Sequence, residues 1–154
     1  MTKAQGRMQH EKGLVVIGPA LPAAPTPRWS PDPERVEDFP VNLPLLGMGR
    51  IIGRQGLDMD SGRLVEFSIS AQVEYQGAWS EVARVDTAHE EVHLHVRSRN
   101  GLYIARSVLC IISGPQDVDK GYEDGERLLL TNWEEHEGMW RRGTPGPGAG
   151  RGCP

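Results

Sequence analysis

Apolar and polar residues alternate most regularly from Leu64 to Tyr75. Val65, Phe67, Ile69, Ala71, Val73 and Tyr75 share one parity; Leu64, Glu66, Ser68, Ser70, Gln72 and Glu74 share the other. A period of two over that length predicts a long, half-buried strand. Asp60-Ser61-Gly62 is a turn signal, so Gly49 to Met59 reads as its hairpin partner. Gln76-Gly77 marks the next turn, and Trp79 to Thr87 reads as another strand. A further strand starts at His89 or Glu90 and closes at Arg99-Asn100-Gly101, because Asn-Gly is the strongest short hairpin signal. Leu102 to Ile112 is apolar and rich in β-branched residues, which favours a buried strand over a helix.

A sheet with one apolar face needs a cover. Leu129, Trp133, His136 and Trp140 recur at helical spacing within Asp124 to Arg142, with Glu134, Glu135 and Glu137 on the outer side. Arg141 and Arg142 suit the last turn, and Gly143 suits the stop. The expected fold class is α+β: an antiparallel four- or five-stranded β-meander covered on one face by a C-terminal helix.

Proline sets the expected boundaries. Eight of the 12 prolines lie between Pro19 and Pro44, and none between Leu45 and Gly114. Proline cannot donate to a ladder, so the proline-free window is the expected core. Residues 1–44 read as a flexible Pro-rich arm, 45–142 as a single domain and 143–154 as a disordered Gly/Pro-rich tail. Trp29, set among prolines, is a candidate partner-docking residue.

With 154 residues and a formal charge of -4, the chain lacks a whole-chain basic footprint for nucleic acid. It contains no apolar run long enough to span a bilayer, so no membrane partner is expected. Cys110 lies in an apolar run and Cys153 in the tail; both read as free thiols in a reducing compartment. Gly18, Pro19 and Pro22 break the faint signal-peptide pattern at the N-terminus, so a cytoplasmic location is expected.

Two motifs carry chemistry. Ile51-Ile-Gly-Arg-Gln-Gly56 resembles the Gly-x-x-Gly loop of KH domains, which clamps single-stranded nucleic acid. A turn and a strand follow it and the downstream helical spacing of a KH domain is missing, so it reads instead as a Gly-rich strand with a bulge beside a hairpin. The second motif is Arg84-Val-Asp-Thr-Ala-His-Glu-Glu-Val-His-Leu-His-Val-Arg97. In a strand, His93 and His95 share one face with Arg97, while Val92, Leu94 and Val96 take the core face. The histidines are therefore expected in a groove or in solvent. One reading is a metal-free acid–base site: His93 and His95 as base and acid, Asp86 and His89 beside them, Arg84 and Arg97 on phosphate. That reading needs no cofactor. A second is a divalent metal such as zinc on His89, His93 and His95, with Asp86 as the alternative third ligand. A third is a solvated polar sheet face.

The Arg-x-Asp-x-Ala-His element and the His-x-His pair resemble a class of small bacterial toxins of toxin–antitoxin pairs. They also resemble uncharacterised small proteins of actinobacteria and their phages. Arg84, Asp86, Ala88 and His89 match the first toxin element, with Val85 and Thr87 in place of its Tyr and Asn; His93 and His95 match the second loosely. The resemblance implies a compact α+β toxin acting on RNA or another central target and paired with an antitoxin protein. The alternative is a non-catalytic protein-binding module that uses the polar sheet face and the Pro-rich arm.

Overall fold

A computed structural model of the protein describes residues 29–45, 47 and 49–143. The fold is α+β. Its sheet has six strands in sequential order, β1 to β6, each antiparallel to its neighbours. They are β1 (Val36–Pro44), β2 (Gly49–Asp58), β3 (Leu64–Tyr75), β4 (Ala78–Ala88), β5 (Glu91–Arg97) and β6 (Tyr103–Ile111). Two helices follow, α1 (Pro115–Thr131) and α2 (Trp133–Arg142).

The strand count exceeds the expected four or five because β1 forms inside the stretch assigned to the flexible arm. It is an edge strand, paired with β2 from Val36↔Asp58 to Pro44↔Arg50. An edge strand tolerates proline because one row of its backbone groups has no ladder partner. Pro40 and Pro44 are therefore compatible with pairing on the inner side only. Trp29 is not a free docking residue: it packs against the core. The expectations for residues 1–28 and 144–154, including Cys153, fall outside the described residues. Cys110 is a reduced thiol on β6 whose Sγ–H donates to the Asp117 carbonyl oxygen at 4.0 Å.

The motif at Ile51–Gly56 is not a KH loop. It lies wholly inside β2, paired on both sides, with a register shift at Gly56/Leu57 of the kind a bulge produces. A KH loop joins two helices, and here neither neighbour is helical.

The core sits between one sheet face and the helices. Phe67, Ile69, Val85, Val92 and Val96 on the strands meet Val118 and Leu129 of α1 and Trp133, Met139 and Trp140 of α2. Each such side chain stabilises the fold by about 1.5–3 kcal/mol when fully buried. Helix α1 begins nine residues before the expected start, at a proline in the first helical turn, where the missing N–H costs nothing. Its inward face carries Gly121 and Gly125. A Cβ there would lie 2.6 Å from Val92 Cγ2 and 2.7 Å from Val85 Cγ1, respectively. Small residues thus set the helix directly on the sheet, and they hide this segment from a search for apolar periodicity. The helix breaks at Asn132, whose N–H donates to the Leu128 carbonyl. Helix α2 ends where the pattern predicts, at Gly143 in the left-handed region, with its N–H on the Met139 carbonyl. Among the described residues no helix is long and apolar enough to cross a membrane.

Candidate functional site

The sheet face opposite the helices carries the chemistry. Antiparallel register aligns two rows of side chains across it. One row runs Ser68–Asp86–His93, the other Ser70–Arg84–His95–Arg106. Asp86 and Arg84 lie two residues apart on β4, as His93 and His95 do on β5, so the period of two puts all four on one face. The parity expected for His93 and His95 holds.

Their exposure differs from expectation. The His93 side chain is only 1% exposed, His95 12% and Asp86 14%. The cause is a layer of long neighbours on the same face. Glu91 Oε2 lies 2.7 Å from His93 Nε2, and Arg106 Nη2 lies 3.1 Å from that same nitrogen. The shorter contact makes Nε2 a donor to Glu91, with Arg106 packed against the pair. The Tyr103 ring lies 5.2 Å from that of His95, and the two imidazoles are 5.8 Å apart, edge to face.

Asp86 links the rows. Its Oδ2 is 2.7 Å from Arg84 Nε, and its Oδ1 is 3.6 Å from His95 Nε2. The second separation is too long for a hydrogen bond. Arg84 Nε, Asp86 Oδ1 and His95 Nδ1 are all buried and make no hydrogen bond, so the Arg84–Asp86 contact is an ion pair alone. Burial pushes the His95 pKa below its ordinary value. Asp86 opposes this, while Arg84, His93 and Arg106 push the same way as burial, and the net shift is downward. His95 is therefore a neutral imidazole at neutral pH.

Arg84 and Arg97, expected to hold phosphate, already serve carboxylates. Arg97 Nε donates to Glu81 Oε1 at 2.5 Å, and Arg84 pairs with Asp86. Both guanidiniums also donate to the Tyr103 hydroxyl, at 3.1 Å from Arg84 and 2.7 Å from Arg97. Ser70 Oγ closes the network on Glu81 Oε2 at 2.7 Å.

His89 does not join the cluster. It and Glu90 form the two-residue turn between β4 and β5, with φ of 53° and 62°, and its side chain is exposed. The structure does not bring the metal set His89/His93/His95 together: His89 lies in the turn beyond the last ladder pair and is not in the converging group. The set that does converge, among the described residues, is Asp86, His93 and His95. Each offers one ligand atom, and these lie within 4.8 Å of one another.

Sequence reasoning missed Glu81, Glu91, Tyr103 and Arg106. Glu91 was legible, since it shares the parity of His93. Tyr103 and Arg106 depend on the β5–β6 register. Glu81 depends on a register shift at Ala71/Gln72 that leaves no mark in the pattern.

A family model described as a domain of unknown function, DUF7718, matches residues 45–144. The chain belongs to that family. No curated protein and no solved structure matches the chain. The DUF7718 match takes in β2 to α2, and hence every residue of the cluster, while β1 precedes it.

Proposed function

We propose that this DUF7718 protein is a small, cytoplasmic, toxin-like protein whose Asp86–His93–His95 cluster carries out acid–base chemistry on RNA, with an antitoxin protein as its partner. One observation carries the reading. Asp86 Oδ1 and His95 Nδ1 are buried on adjacent strands without a partner. Buried polar atoms are almost always satisfied, and the exceptions cluster where something must bind or react. A purely structural ion ladder would have used both atoms, as it uses Arg97 and Glu81. The roles follow from position. His95, a neutral imidazole, is the proton acceptor with Asp86 beside it, Glu91 holds His93, and Arg84 and Arg97, each paired with a carboxylate, would have to exchange that partner for a phosphate.

The test is controlled expression of the intact chain in a bacterial host. Growth should stop. His95→Gln and Asp86→Asn should each restore growth, because loss of one acid–base group costs about 100-fold or more in rate. His93→Ala should restore it too, with a melting curve to confirm the fold. A host that grows normally at high expression, together with purified protein that leaves RNA intact, sinks the reading.

A further inference from the structure

We propose that Asp86, His93 and His95 bind one divalent transition-metal ion, zinc foremost, on the sheet face between β4 and β5. The inference rests on the cluster assigned above and specifies how it reaches its chemistry.

Three observations point the same way. The first is convergence: a carboxylate oxygen and two imidazole nitrogens lie within 4.8 Å of one another. Metal bonds of about 2.0–2.2 Å place tetrahedral ligands about 3.3–3.6 Å apart. The Asp86 Oδ1–His95 Nε2 separation of 3.6 Å already meets that, though it is too long for a hydrogen bond. The second is vacancy in the hydrogen-bond network. Asp86 Oδ1 is buried without a donor, while its sister oxygen has only an ion-pair contact with Arg84 Nε at 2.7 Å. The carboxylate is thus charge-paired on one side and open to a ligand on the other. The third is the outer layer. Glu91 Oε2 accepts from His93 Nε2 at 2.7 Å, the carboxylate–histidine arrangement that fixes a ligating ring and raises its basicity.

Donor type narrows the ion. Two imidazoles and one carboxylate suit zinc, or iron, cobalt and nickel, better than magnesium or calcium, which prefer all-oxygen sets. The surrounding charges balance. Arg84, Arg97 and Arg106 are matched in number by Glu81, Asp86 and Glu91, so the donors rather than the local field decide selectivity. With three protein ligands, one position stays open for water. A bound ion would lower the pKa of that water towards neutrality. The ion would supply hydroxide, formed when that water gives its proton to solvent, as the proton acceptor, and Asp86, His93 and His95 would be the residues that hold the ion.

The experiment uses the full chain, stripped with EDTA and titrated with zinc chloride and, separately, cobalt chloride. The expected result is one ion per chain, a raised melting temperature and the intense visible cobalt absorption of a four-coordinate site. His95→Gln and Asp86→Asn should each weaken binding about 100-fold, and Glu91→Gln about 10-fold or more. His89→Ala should leave binding unchanged. Should Asp86→Asn fail to fold, His95→Gln decides alone. No saturable binding at millimolar metal, binding that survives His95→Gln, or the pale spectrum of six-coordinate hydrated cobalt overturns the proposal. The two proposals fail separately. Growth arrest that needs His95 in a chain that binds no metal removes the ion and keeps the function. A metal site in a chain that is harmless to cells and to RNA does the reverse.

Discussion

Gly53→Ala is the sharpest test of the β2–β3 register. Gly53 faces Ile69 across the sheet. A Cβ built there would sit 2.0 Å from the Ser68 carbonyl oxygen and 2.8 Å from Ile69 Cα. Both obstacles are backbone, so no rotamer change relieves them. The strands must part by more than an ångström beside the fully buried Ile51 and Ile69. Overpacking of this kind costs about 1–3 kcal/mol, and a broken ladder bond adds about 1 kcal/mol. The expected loss is therefore about 2–4 kcal/mol, a large part of the 5–15 kcal/mol typical of a domain. Urea unfolding followed by tryptophan fluorescence reads it as a midpoint lowered by roughly 1–2 M at an ordinary slope. Gly62→Ala is the control. Nothing lies within 4 Å of its Cβ, but its φ of 68° alone costs about 1 kcal/mol. A Gly53→Ala loss no larger than that of Gly62→Ala would refute the register. A KH loop would behave differently: stability intact, single-strand binding lost.

Other outcomes follow from named residues. His136 is buried on α2 with Nδ1 unpartnered, and burial lowers its pKa despite Glu135 nearby. The unfolded chain therefore takes up this proton first. Stability from this group is complete above about pH 6.5 and falls as pH drops, by up to about 1.4 kcal/mol per unit, until the folded pKa is passed; His136→Leu should flatten that slope in melts at pH 5 to 7. His89→Asn with Glu90→Gly should raise stability by roughly 1–2 kcal/mol, since both residues now sit at positive φ in a two-residue turn; an unchanged melting temperature would contradict the turn geometry. His93→Ala should cost about 1–3 kcal/mol by stranding Glu91 beside a cavity, measured by urea unfolding; a neutral result would mean the ring is not buried.

How much of the fold the pattern revealed depended on where its signal lay. β3 was legible to the residue, because twelve residues of strict alternation meet turn residues at both ends. β1 was not, because Pro40 and Pro44 are evidence against a strand everywhere except at an edge, and edge position is a property of the whole sheet. The first half of α1 was hidden for a related reason. Its contact with β4 and β5 is made by Gly121 and Gly125, and close approach needs the absence of side chains. Apolar periodicity detects helices that fill space and misses those that vacate it.

The candidate site shows the same division. Parity within β5 was enough to put His93 and His95 on one face and Val92 and Val96 on the other. Parity cannot say how deep a face lies. Burial of His93 comes from Glu91 on its own strand and Arg106 on the next, and the second contact exists only once the β5–β6 register is fixed. The same holds for His89. Three histidines within seven residues invite a single site, yet the hairpin turn separates the first from the other two and puts Asp86 in its place. The substitution matters chemically. Three histidines would make a neutral ligand set, whereas Asp86 with two histidines brings one negative charge, anchored on one side by Arg84. That leaves its second oxygen pointed at His95 with no donor to meet it. A tertiary arrangement that anchors one carboxylate oxygen and orphans the other is costly to keep in a protein interior. This cost is the physical reason to propose Asp86 and His95 as the site rather than residues elsewhere on the sheet.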